Sequence, residues 1–408
     1  MHSPYQSRRN FIKKGIAGVA GLTLLPTACQ KDKSAQEQSI GKKKFITRTL
    51  GKTGLTVPIV NMGVMNADNP NLVRVALDRG IVMLDTAHYY SHGRNEEMIG
   101  GVIKERPRDS YVIATKVRAS TVDRHTRLEM EETQPETFES FIEKFELSLL
   151  RLGLSYVDIL YLHSVDSKEH AMEEHIVRAL KKLKQDGKVR FVGLSTHRNE
   201  PEVIRAAADS GIYEVVLTTY NFLQSHRKEV ESAIAYAAKK GLGIVAMKTQ
   251  AGVYWDRERS QPINMKAALK WVLQNENVHA TIPGFTTYDQ LEEDLSVMED
   301  PTFTPKERED LQLSMNIDRK GLYCQQCGRC LDQCDHDVEI PTLMRSYMYA
   351  YGYRNLAAAK ETLKSIDMYS FPCESCSACS VDCTMGFDIK DKIVDISRLK
   401  HLPDDFFV

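Results

Sequence analysis

The chain has 408 residues, with 54 Lys plus Arg against 55 Asp plus Glu, a formal net charge of -1 and 42% hydrophobic residues. That length exceeds a usual single core, so more than one domain is expected. The even charge balance argues against a nucleic-acid binder and leaves a small-molecule enzyme as the default reading.

The first thirty residues stand outside any fold. Ser7-Arg8-Arg9-Asn10-Phe11-Ile12-Lys13-Lys14, followed by a small and apolar run from Gly15 to Leu25, looks like a twin-arginine export signal, and the run is too short for an ordinary membrane span. Leu24-Leu25-Pro26-Thr27-Ala28-Cys29 resembles a lipoprotein cleavage box with Cys29 as the lipid-bearing residue, although Pro26 stands where that box usually has Leu. Such a route carries proteins already folded around their cofactors and implies a periplasmic or membrane-anchored location. Residues 31 to 44, rich in Lys, Gln and Ser, read as a tether and close a first segment, 1–44.

Residues 45–300 form the second segment. Leu50-Gly51-Lys52-Thr53-Gly54-Leu55 predicts a turn-rich hairpin that plugs the bottom of a barrel. Strands are predicted around residues 60–64, 81–86, 111–117, 157–163, 189–195, 213–219, 243–248 and 278–283. Amphipathic segments such as Thr137 to Leu147, with apolar residues three to four apart, separate them. Eight strand–helix alternations predict an α/β fold, a (β/α)8 TIM barrel, rather than a doubly wound sheet. Gly241-Leu242-Gly243-Ile244-Val245-Ala246 has the letters of a dinucleotide fingerprint but precedes a strand instead of following one.

Three predicted strands end in polar groups. Val82-Met83-Leu84-Asp85 is followed five residues later by Tyr90, Tyr111 to Lys116 ends in a lysine, and Tyr156 to His163 ends in a histidine. A tyrosine hydroxyl gives up a proton near neutral pH only beside a cation that lowers its pKa, and that cation needs an acid to hold it. In these residues the chain resembles the aldo/keto reductase family over about residues 45 to 300, with Asp85, Tyr90, Lys116 and His163 matching its catalytic Asp, Tyr, Lys and His. The resemblance implies that Tyr90 donates a proton to a carbonyl oxygen while a nicotinamide delivers hydride. Lys116 would lower the Tyr90 pKa, Asp85 orient Lys116, and His163 steer the carbonyl. It also implies NAD or NADP as cofactor. Ser195 matches a nicotinamide contact, whereas Thr196 stands where many relatives have Asn, Leu217 where Gln is common and Met247 where an aromatic ring often stacks. The segment Pro283 to Gln290, with Gly284 and Gln290, lacks the Lys and Arg that grip the 2'-phosphate in many members, which weakens a preference for NADP.

From about residue 301 the alternation stops. Thr304 to Ile317 predicts a linker helix, after which Cys324, Cys327, Cys330 and Cys334 have the spacing C-x2-C-x2-C-x3-C, and Cys373, Cys376, Cys379 and Cys383 repeat it. Such runs hold two 4Fe-4S clusters, with the fourth thiolate of each run on the other cluster. This assigns Cys324, Cys327, Cys330 and Cys383 to one cluster and Cys373, Cys376, Cys379 and Cys334 to the other. Asp335 and Thr384 replace the proline that often follows such runs. Helices between Ile340 and Met368 then complete an α-helical ferredoxin-like domain, 301–408. The tyrosines of Leu343 to Tyr351 read as packing around the clusters.

The combined reading is an exported iron–sulfur oxidoreductase that interconverts a small carbonyl and an alcohol with nicotinamide or cluster-borne electrons. One-electron clusters and a two-electron hydride need an intermediary or a redox partner protein between them. A second reading makes the barrel a docking or binding scaffold with the ferredoxin-like domain as the working electron carrier, and a third is an exported binding protein stapled by zinc or disulfides.

Overall fold

A computed structural model describes residues 45–119, 137–252, 263–316, 322–336, 338–364, 366, 372–403 and 406. The export signal, Cys29 and the tether lie outside these residues, as does Ile317 of the predicted linker helix. A short antiparallel hairpin, β1 (Thr47–Thr49) and β2 (Thr56–Pro58), precedes eight parallel strands. These are β3 (Met62–Gly63), β4 (Met83–Asp85), β5 (Val112–Val117), β6 (Val157–Leu162), β7 (Val189–Thr196), β8 (Val215–Thr219), β9 (Gly243–Met247) and β10 (Ala280–Thr281), neighbours in chain order. A bridge from Val60 to Thr281 and the bond from Asn61 N to Thr281 O (2.8 Å) close the ring, so the structure is the predicted TIM barrel.

Alternation along each strand sorts the side chains into two buried layers. Met83, Ala114, Ile159, Tyr161, Leu217 and Val245 fill the inside of the barrel, while Leu84, Ile113, Leu160 and Leu194 face the surrounding helices. The hairpin caps the inner layer: Leu50 is fully buried in it. Gly51, at φ +52°, lies against the Gly241 carbonyl, and a Cβ there would fall 2.3 Å from that oxygen. Only glycine allows this plug to seat so deeply.

The C-terminal helices Ile340–Tyr351, Leu356–Lys364 and Ile389–Ser397 pack on the barrel through one shared core. Leu343, Met344, Phe387 and Ile393 of the module meet Phe222, Leu223, Ala251 and Ala268 of the barrel in it. Polar ties reinforce it: Gln325 Oε1 accepts from Ser225 N (3.0 Å), and Asn355 Nδ2 donates to Asn66 Oδ1 (2.8 Å). Residues 44–408 accordingly form one compact unit, with module side chains over the carboxyl ends of the barrel strands. Among the described residues no helix is long and apolar enough to cross a membrane.

Candidate active site and cluster sites

Register brings the first two groups of the tetrad together. Asp85 of β4 pairs with Ala114 of β5, so Lys116, two residues on, faces the same side of the sheet. Both side chains are almost completely buried. Lys116 Nζ donates to Asp85 Oδ1 and to the Thr86 carbonyl (2.6 Å), and it stands 3.4 Å from the Tyr90 hydroxyl oxygen. Tyr90 opens a tight turn, Tyr90–Gly93, in which Ser91 and His92 take positive φ values of 51° and 55°. His163, just beyond β6, sets its ring 6.2 Å from that of Tyr90.

Burial dominates the electrostatics here. It disfavours both charges of the Lys116–Asp85 pair, pushing the carboxyl up and the ammonium down, while their mutual bond works the other way. Tyr90 corrects the sequence expectation. Burial first, then the adjacent Tyr89 and Asp85, hold its hydroxyl well above the ordinary value. His163 is held well below its ordinary value, by burial first and then by Lys116, Arg118 and Arg345. It is therefore neutral, and its Nδ1 has no partner among the described residues.

The cysteines gather in the two predicted quartets. Cys324, Cys327, Cys330 and Cys383 line one small pocket. Cys334, Cys376 and Cys379 all lie near enough to Cys373 to raise its pKa. Gln326 N and Met385 N each donate to a cysteine sulfur, Cys324 and Cys383, at 3.4 Å. Thr384, standing where a proline often follows, places its hydroxyl 3.4 Å from Cys327 Sγ and accepts from Gln325 Nε2 (3.0 Å). Burial first, then repulsion between neighbouring thiols, pushes Cys324 and Cys373 up to about 11 and Cys330 up to about 12. Four thiolates brought together without a counter-charge would repel one another, but they fit a cationic iron–sulfur core that supplies it. All eight thiols are free.

Residues 59–267, which contain the whole tetrad, match the profile of the Aldo/keto reductase family. The chain belongs to that family. Residues 323–388 match a 4Fe-4S dicluster domain, which spans all eight cysteines. Pyridoxal 4-dehydrogenase of Microbacterium luteolum is 27% identical over 246 residues, covering 51% of this chain and 70% of that protein. L-galactose dehydrogenase of Arabidopsis thaliana is 26% identical over 295 residues, 62% of this chain and 88% of that protein. Among solved structures, the holo form of an aldo-keto reductase from Bacillus halodurans superposes with a TM-score of 0.53 at 23% identity, covering 66% of this chain and 96% of that one, a likeness of fold. The chain is thus an aldo/keto reductase-type oxidoreductase carrying a ferredoxin-type 4Fe-4S domain.

Of the nicotinamide contacts expected in such a reductase, Ser195, Met247, Gly284 and Gln290 line a cavity of about 170 Å³ together with Asp85, Tyr90, Lys116 and His163. Thr196 and Leu217 are not among its lining residues. The Thr196 hydroxyl is turned to the Arg198 carbonyl (2.8 Å), and Leu217 points into the barrel core. Ser195 Oγ already accepts from Ser164 N (2.9 Å), and Gln290 Oε1 from Thr286 N (2.8 Å). Besides Lys116, Lys248 is the cation among the described lining residues, and burial beside Arg345 lowers it to about 8. Ser195 and Met247 thus stand on the wall of one chamber, and among the described residues its Gly284–Gln290 end offers no charged grip for a 2'-phosphate.

Several wall residues escaped the sequence reading. His197 lies on the cavity two positions past Ser195, and burial together with Lys248 depresses its pKa. The tyrosines of the module also divide differently from expectation. Tyr347 and Tyr351, four residues apart, pack together at 4.5 Å, whereas Tyr349 and Tyr353, stacked at 5.8 Å, line the catalytic cavity. Two residues along a helix turn a side chain by about 200°, so alternate tyrosines face opposite ways. The apolar character of all four hid that division, and only the placement of the helix over the barrel mouth reveals it.

Proposed function

We propose that this chain is an exported iron–sulfur oxidoreductase that interconverts a small carbonyl and its alcohol at Tyr90. One observation carries the reading: Lys116, fixed by Asp85 and the Thr86 carbonyl, stands 3.4 Å from the Tyr90 hydroxyl on the wall of a cavity that a neutral His163 also lines. The curated relatives named above as dehydrogenases of pyridoxal and L-galactose support small carbonyl–alcohol pairs as the substrate class.

In the reducing direction the half-buried Tyr90 keeps its proton until negative charge grows on a carbonyl oxygen beside it. Its raised pKa matches that role, because a donor that ionised early would have nothing to give. Lys116 then faces the developing phenolate, and the Asp85 carboxylate holds the lysine in place throughout. His163, unable to charge, directs the carbonyl through a ring nitrogen without competing for the proton. A nicotinamide would supply the hydride when bound, with Ser195 and Met247 on the wall of the cavity that would hold it, and the cysteine quartets would hold groups that exchange single electrons with a redox partner protein. Export rests on the Arg8-Arg9 motif and the apolar run behind it, with Cys29 as the lipid attachment point.

Tyr90→Phe is expected to lower carbonyl turnover by about 10²-fold or more while iron content and circular dichroism stay at wild-type values. Wild-type turnover in that variant removes the reading. A second reading, in which the barrel is a docking scaffold for an electron carrier, draws on Thr196 and Leu217 lying away from the cavity. Titrating the anaerobically prepared chain with NAD and NADP separates the two. The reductase reading expects binding without the usual advantage of the 2'-phosphate, and binding of neither dinucleotide favours the scaffold.

A further inference from the structure

A second chamber, of about 570 Å³, adjoins the catalytic cavity, and the two share Met65, Tyr89, Tyr90, His197 and Tyr349 on their walls. Its charge is lopsided in a protein that is close to neutral overall. Among the described residues, Arg94, Arg118, Lys144, Arg345, Lys360 and Lys364 line it, against one carboxylate, Glu361, which is already 3.1 Å from His92.

Two of the six cations matter most. Arg118 follows β5 directly; its guanidinium lies 5.2 Å from the Tyr89 ring centre and 3.5 Å from the Ser164 hydroxyl. Tyr89 in turn lies 5.1 Å from the His163 ring and 5.3 Å from that of Tyr90, so Arg118 is two ring contacts from the tetrad. Arg345 comes from the opposite side, on the Ile340–Tyr351 helix of the module, and is close enough to disfavour protonation of both His163 and His197. Neither arginine has an acidic partner among the described residues. Beneath them the buried Nδ1 of His163 is without a partner.

Resting on the carbonyl–alcohol reading above, we propose that the natural substrate is an anion: a carbonyl or alcohol compound carrying a carboxylate or phosphate that Arg118 of the barrel and Arg345 of the module grip while its reacting carbon lies at Tyr90. The chemistry is that of charge-assisted, often bidentate guanidinium recognition in a chamber partly shielded from water. A cationic recess of this kind also draws anions in from solution. The module thereby completes the substrate site, and the barrel without it has half of the anion grip.

The test uses the full chain, anaerobically prepared with its iron, and three aromatic aldehydes: 4-formylbenzoate, 4-formylphenyl phosphate and neutral benzaldehyde. The expected result is a kcat/KM for one or both anionic probes at least about tenfold above that for benzaldehyde, the phosphate and carboxylate arms showing which head group the site takes. Arg118→Gln and Arg345→Gln should each reduce that anionic preference about tenfold, mainly through KM, and Arg118→Lys, which keeps the charge but not the fork, should retain only part of it. Equal treatment of charged and neutral aldehydes, or an undiminished preference in both glutamine variants, overturns the proposal. So do variants that weaken dinucleotide binding while keeping the preference, since the arginines would then serve a cofactor phosphate. If no aldehyde turns over, the reaction assigned to Tyr90 fails instead, and calorimetric titration of 4-formylbenzoate into wild type and variants still decides the anion site.

Discussion

The catalytic wall of the barrel and the cysteine pockets of the module are both buried clusters of ionisable groups, yet they are stabilised in opposite ways. In the barrel, two buried groups show charges that bring their own counter-charges: Lys116 has Asp85 and a backbone carbonyl, and Asp158 at the other end of β6 has Arg108 and Arg190, both at 2.7 Å. In the module, burial and the neighbouring thiols push Cys324, Cys330 and Cys373 up. The first site is organised by the polypeptide before any ligand arrives. The second becomes electrostatically reasonable only with the charge of a metal cluster, so loss of a partner should cost folding energy in one and iron in the other.

The sharpest break of that comparison is Cys383→Ser. Because Cys383 joins the pocket of Cys324, Cys327 and Cys330, the variant should lose the cluster of the opposite run and fall from about eight iron atoms per chain to about four. Iron and sulfide analysis of the reconstituted protein checks this, and a full complement of iron or its replacement by zinc refutes the pairing.

Next in size is Lys116→Met. It leaves the Asp85 carboxylate buried without its cation, which should cost about 3–5 kcal/mol of barrel stability in urea unfolding with iron content preserved. Adding Asp85→Asn should recover most of the loss. An equally unstable double variant would show that shape, not charge, holds the wall together.

The smallest effect is one of pH. His163 and His197 have folded pKa values well below 6.5, so above that pH neither the folded nor the unfolded chain protonates them and stability is unaffected by them. Below 6.5 the unfolded chain binds protons that the folded one refuses. Stability should therefore fall on acidification from pH 6.5 towards 5, by up to about 1.4 kcal/mol per histidine for each pH unit. His163→Gln should flatten the slope of the urea midpoint against pH, and an unchanged slope would remove His163 from the account.

Much of this protein was legible without coordinates. Eight alternating segments dictate the barrel because each strand must bury both faces and each helix one, and a pattern of that kind is local. The cysteine runs are local too: spacing of two and three residues places three ligands on one loop, and Cys334 and Cys383 then have to cross. The tetrad was readable because strand ends of a parallel barrel converge, so Asp85, Lys116 and His163 could be matched by their place in the alternation.

What only the tertiary structure decided is everything that depends on which surface meets which. Burial, not the nearby lysine, determines the ionisation of Tyr90, and burial is a property of the assembled cavity. Thr196 and Leu217 occupy the expected strand positions, but a backbone carbonyl captures one and the barrel core the other. Arg118 and Arg345 are separated by more than two hundred residues and look like ordinary surface cations in the sequence. They share a chamber because the cysteine-bearing helices pack over the carboxyl ends of the barrel strands, a contact made by apolar surfaces whose pairing no local spacing records.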